Sequence, residues 1–151
     1  MSKGVFLKAL KNQCGLSLVE VLVSLAIIGL TSAVFLSGLQ TGSKATQLSD
    51  VHTTARSLAA SQMDTIKSAG YIAAPSGGVA AYTPTSLPNG FQIYTLDRSN
   101  NQVSGQIYGI PWNTTANAAY TGSDPGIQKV AIIIKYNNAE VFRLMDYKVE
   151  G

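Results

Sequence analysis

The chain is short of reactive side chains. In 151 residues it has one cysteine, one histidine and one tryptophan, and only 13% of its residues are charged. Cys14 has no second cysteine to pair with, so no intramolecular disulfide can form. It precedes the long apolar stretch and follows the polar "KNQ", an order that does not fit a lipid anchor. His52 alone cannot build a zinc site without thiolates, and is expected as a surface helix residue. No P-loop, nucleophile elbow or dinucleotide fingerprint occurs. An enzyme is not expected, and neither is a cofactor or a metal. Proline is missing before Pro75, and charge is missing from Val21 to Ser43.

That uncharged stretch of 23 residues is long enough to span a bilayer as a helix, which needs about 20 apolar residues. Lys3, Lys8 and Lys11 precede it and carry the excess that gives the chain its net charge of +3. They hold the N-terminus on the cytoplasmic side. Without residues 1–15, basic and acidic residues balance at eight each, so no general basic character argues for nucleic acid. A cleaved secretory signal fits poorly, because its apolar core is about 7–15 residues and ends at a small-residue site. Here "TSA" (31–33) falls mid-run. A plain single-pass anchor explains the length and the lysines but not Glu20, at the front of the run. A carboxylate at the bilayer centre costs about 2.5–3.5 kcal/mol, less near the interface, so it calls for a partner.

"CGLSLVEVLVSL" (14–25) resembles the signal of type IV prepilins and type II secretion pseudopilins. The resemblance implies a basic leader (1–15) cut between Gly15 and Leu16 by prepilin peptidase, with the apolar helix retained. It implies N-methylation at Leu16, although the family more often begins its mature chain with Phe or Met. It also implies that Glu20 meets the new N-terminus of a neighbouring subunit, setting register during assembly. An ion pair in a low-dielectric bundle offsets the desolvation of both charges; an unpaired carboxylate does not. Many major pilins carry a proline in this run. Its absence here leans toward a minor pilin or pseudopilin, and "ARSLAASQMDTIKSAGY" (55–71) resembles the corresponding part of minor pilins and pseudopilins of I or V type.

Past Ser43 the pattern stays helical. Leu48, Val51, Ala55, Leu58, Ala59, Met63 and Ile66 recur at spacings of three and four, with Lys44, Asp50, Arg56, Gln62, Asp64 and Lys67 between them. The expected helix covers 16–69, about 80 Å at 1.5 Å per residue, and stops before Gly70. Its first part (16–43) is the membrane and filament-core segment. Its continuation (44–69) is amphipathic.

Residues 70–151 read as a β head. Segment 70–90 is a long Gly- and Pro-containing loop; "FQIYTLDRS" (91–99) and "VSGQIYGI" (103–110) are strands; 111–126 is a second loop. "IQKVAIIIKY" (127–136) and "VFRLMDYKV" (141–149) form a hairpin around Asn137-Asn138. Val130, Ile132 and Ile134 share one face of it; Lys129, Ala131, Ile133 and Lys135 share the other. The expected fold is α+β: a long N-terminal helix whose second half packs on an antiparallel sheet of about four strands. "DRSNN" (97–101) begins like a calcium loop, but Gln102 and Tyr108 stand where an EF-hand needs Gly and Glu. Asp124 is read as an Asp-Pro turn, with a calcium ligand as the alternative. Asn113-Thr114-Thr115 is a glycosylation sequon. The expected function is a structural subunit of a type IV pilus or a secretion pseudopilus. Its partners are other pilin subunits, prepilin peptidase, the membrane assembly platform and, before assembly, inner-membrane lipid. Two alternatives remain: a competence-type or tip subunit whose head binds DNA or a surface, and an uncleaved membrane anchor.

Overall fold

A computed structural model describes residues 17–151. The leader, with Lys3, Lys8, Lys11, Cys14, Gly15 and Leu16, lies outside the described residues. The chain forms two compact units, one up to Ala45 and one from Thr46.

In the first unit the described chain is a single stretch of helix, the front of α1 (Leu18–Ser68). The amides of Glu20 and Val21 both donate to Ser17 O, closing its first turn. Its side chains are exposed throughout, including Leu18, Leu22, Leu30, Val34 and Phe35. Hydroxyls along it bond back to their own backbone: Ser24 to Glu20 O at 2.7 Å, Thr31 to Ile27 O at 2.9 Å, Ser32 to Ile28 O at 2.7 Å. Polar groups satisfied this way need no water, which suits a helix in apolar surroundings.

The second unit holds the rear of α1 and seven strands: β1 (Ala80–Tyr82), β2 (Phe91–Leu96), β3 (Gln102–Ser104), β4 (Ile107–Asn113), β5 (Ala118–Ala119), β6 (Ile127–Tyr136) and β7 (Ala139–Val149). All pairings are antiparallel. The strand β6 is the axis of the sheet. One of its edges pairs with β7 along its whole length. Its other edge is shared: β4 pairs with Gln128–Val130 and β2 with Ile133–Tyr136. The two strands diverge beside Ala131, where the Thr95 hydroxyl bridges the fork. It donates to Ala131 O at 2.9 Å and accepts from Tyr108 N at 3.2 Å. The outer strands β1 and β3 complete the sheet beside β4 and β2.

Ala55, Ala59, Met63 and Ile66 of α1 pack with Val130, Ile132, Ile134, Ile93, Ile107 and Tyr82 of the sheet in one buried core. Each fully buried aliphatic side chain contributes roughly 1.5–3 kcal/mol. The small residues Ala55 and Ala59 let the helix backbone approach the sheet closely. The α+β architecture is therefore as expected, with the strand count corrected from about four to seven. The additions are short and sit in Gly- and Pro-rich segments: β1 within 70–90, and β5 within 111–126. The expected strand 103–110 is broken by a turn at Gly105, whose φ is +92°, and so yields β3 and β4. The latter also runs through Pro111, expected in a loop. Proline has no N–H to donate to a neighbouring strand, and its carbonyl accepts from Tyr120 N at 2.8 Å. Helix-side Gln62 was expected on the polar face, yet it is buried. It bonds the backbone and hydroxyl of Thr85 through both ends of its amide.

Candidate functional site

Of the residues singled out near the N-terminus, Glu20 falls among those described. It lies in the first turn of α1, where the helix dipole favours an acidic side chain. Its carboxylate makes no hydrogen bond or ion pair among the described residues, and it is exposed. Around and beyond it the apolar surface is bare: Leu18 is 77% exposed and Val34 73%. So large an exposed apolar stretch marks a segment that is covered by lipid or by other chains. It is the one helix among the described residues long and apolar enough to cross a membrane. His52 is exposed on α1, as expected.

The head holds a polar network that sequence reading only partly anticipated. Asp124 accepts four hydrogen bonds: from Tyr71 OH at 2.6 Å, Ala74 N at 2.8 Å, Gly126 N at 3.0 Å and Gln128 Nε2 at 2.6 Å. Burial pushes its carboxyl up, but those four donors outweigh burial and hold it below the usual carboxylate range. Burial, then the bond to Asp124 and its negative charge, push the Tyr71 phenol well above its ordinary value. A carboxylate already saturated by N–H and O–H donors is a poor calcium ligand, and the Asp-Pro turn reading stands. Among the described residues no group of three or more His, Cys, Asp or Glu is placed to hold a metal. Buried Gln128 extends the network to Tyr82 OH at 2.8 Å and Ile72 O at 2.8 Å. The chain leaving α1 is thus tied to the start of β6. Asp97 is likewise used locally, both its oxygens accepting from Asn101.

Sequence reading missed Lys148. Its ammonium is buried against the end of α1 and donates to Ile66 O and Ala69 O, both at 2.6 Å, and to Lys67 O at 3.3 Å. These are carbonyls a helix end leaves without intrahelical partners. Burial lowers the Lys148 pKa. The signal was present in the alternation of β7: Phe142, Leu144, Asp146 and Lys148 share the helix-facing side. Asp146 meets Lys67 of α1 at 2.5 Å. That bond holds the Asp146 carboxyl below its ordinary value.

In the head these polar groups find partners within the chain, while the front of α1 presents exposed apolar side chains and the Glu20 carboxylate without a partner among the described residues. Residues 10–36 match the family model described as the prokaryotic N-terminal methylation motif. Among curated proteins and among solved structures, none matches the chain. The motif supports a type IV pilin-like or pseudopilin subunit processed by prepilin peptidase, and a membrane-anchored precursor. The chain is thus similar over residues 10–36 to type IV prepilins, a match that, beside its α+β architecture, supports the pilin and pseudopilin family.

Proposed function

We propose that the chain is a minor pilin or pseudopilin, made as an inner-membrane precursor with its N-terminus inside and then built into an extracytoplasmic filament. The observation that carries this reading is the methylation motif running directly into a helix whose apolar side chains are bare. Prepilin peptidase cuts between Gly15 and Leu16, freeing an α-ammonium that is then methylated. Glu20, without a partner among the described residues, pairs with that ammonium on a neighbouring subunit. Apolar helices then leave lipid for one another, so the same surface is covered before and after assembly. The protein works by polymerising, without a catalytic residue of its own.

The test is N-terminal mass analysis of the mature protein, paired with Gly15→Val. The wild type should begin at a methylated Leu16, and Gly15→Val should retain residues 1–15. A wild-type chain that keeps its leader is instead a plain membrane anchor.

A further inference from the structure

The face of the sheet turned away from α1 carries a hollow of about 200 Å³. Its floor is apolar, made by Leu96, Ile110 and Ala131. Arg98, Lys129 and Trp112 stand around it. The Lys129 ammonium lies 4.1 Å from the centre of the Trp112 ring. An aromatic face holds a cation without neutralising it. Arg98 is fixed in the same manner, donating to Gly78 O at 2.7 Å and Tyr120 O at 2.6 Å. Carbonyls position the guanidinium without neutralising it. The ion pairs among the described residues are Lys67–Asp146 and Arg143–Glu140, so neither Lys129 nor Arg98 belongs to one. Asp97 also borders the hollow, but both its oxygens are taken by Asn101.

Beside the hollow, Tyr147 is paired across the strands with Lys129, and Met145 with Ala131. Directly paired residues share a face, so both extend the apolar floor outward. They are 42% and 45% exposed. Trp, Tyr, Met and Arg around a small apolar depression are the residue types enriched where proteins meet. Pockets for whole small molecules run to about 300–1,000 Å³. This one is of a size for a single anchoring side chain. The Trp112 Nε1–H is buried without an acceptor among the described residues.

From two cations that belong to no ion pair, against one carboxylate, and from the apolar floor, we propose that this hollow is a docking site for a partner protein that inserts an apolar side chain flanked by carboxylates. The apolar group lies on Leu96, Ile110 and Ala131, and the carboxylates face Lys129 and Arg98. Its lining residues all belong to the second unit, so this proposal does not rest on the function proposed above.

Trp112 is the chain's single tryptophan, so its emission reports on the hollow directly. The full chain in nonionic detergent is titrated with the capped peptide Glu-Leu-Glu-Leu-Glu, and in parallel with Gln-Leu-Gln-Leu-Gln. Saturable change is expected with the acidic peptide and at least about tenfold weaker binding with the neutral one, as for loss of a charge-assisted contact. Lys129→Gln should weaken the acidic peptide about tenfold, and Lys129→Arg should restore it. Near-UV circular dichroism of each variant confirms the fold. Raising salt to about 1 M, where screening acts within about 3 Å, should also weaken binding. Equal response to both peptides, no response to either, or no effect of Lys129→Gln in a folded variant overturns the proposal. So does a Lys129-dependent response to oligothymidylate without one to the acidic peptide, which would make the face a nucleic-acid surface.

Discussion

Lys148 shows how one residue can decide where an element ends. A helix leaves its last carbonyls without partners, and here a strand residue from the far end of the chain supplies three donors to them. Hydrogen bonds to charged groups contribute about 1.5–3 kcal/mol, so Lys148→Met should destabilise the head by about 2 kcal/mol in urea unfolding. An unchanged midpoint would mean that those carbonyls find other partners. Asp124 and Tyr71 each contribute to the pH dependence of stability, beside Asp146 at the acid end and Tyr82 at the alkaline end. The folded Asp124 carboxyl titrates below its ordinary value of about 3.9, so its contribution is complete above that pH and is lost as pH falls through the folded value. The folded Tyr71 phenol titrates above its ordinary value of about 10, so its contribution is complete below pH 10 and fades as pH rises further. Stability measured across pH should therefore fall at both ends, and Tyr71→Phe should flatten the alkaline limb. A wild-type profile level to pH 11 would contradict the second assignment.

At the scale of the element, the sheet depends on a fork. β2 and β4 share one edge of β6, and neither backbone can complete the ladder where they part. Thr95 fills that break with its hydroxyl, buried and bonded on both sides. Thr95→Val keeps the shape and removes both bonds, leaving Ala131 O and Tyr108 N short of a partner. It should cost about 1–3 kcal/mol of thermal or urea stability. A loss below a few tenths would show that the strands hold their divergence unaided. This fork also explains what the sequence could and could not tell. The hairpin of β6 and β7 was legible because alternation over long strands and Asn137-Asn138, both at positive φ, are local signals. The apolar spacing of α1 located Ala55, Ala59, Met63 and Ile66 for the same reason. The short strands β1 and β5 were not legible, since two or three residues carry no period, and β3 was read only as the front of one longer strand. Gln62 and Lys148 look like surface residues by type. Only tertiary placement shows that Thr85 and the end of α1 satisfy them.

At the scale of the whole molecule, the chain carries a folded head, whose polar groups are largely satisfied internally, and a helical segment left bare. The buried network around Asp124 and Gln128 and the core beneath β6 need nothing from outside. The run from Leu18 to Phe35 is the opposite: its hydroxyls are closed onto their own backbone, its aliphatic side chains are exposed, and its carboxylate is unpaired among the described residues. Such a segment is complete only in a second environment. That makes Glu20 separable from folding. Glu20→Ala removes no contact within the described chain, so the head should keep its wild-type melting temperature. It should also leave the proposed cleavage between Gly15 and Leu16 intact, because in that proposal the glycine directs the cut. What it removes is the carboxylate proposed to meet a neighbour's α-ammonium. In a low-dielectric helix bundle the ammonium would then be buried alone, and breaking such a pair from one side costs about 3–5 kcal/mol. That is a factor of at least about a hundred in subunit association. Cells making Glu20→Ala should therefore show processed protein in the inner membrane and little in sheared filaments or cross-linked assemblies. Incorporation at the wild-type level, measured by immunoblot of the two fractions, would remove Glu20 from the assembly step and leave the apolar surface to act without a charge to set its register.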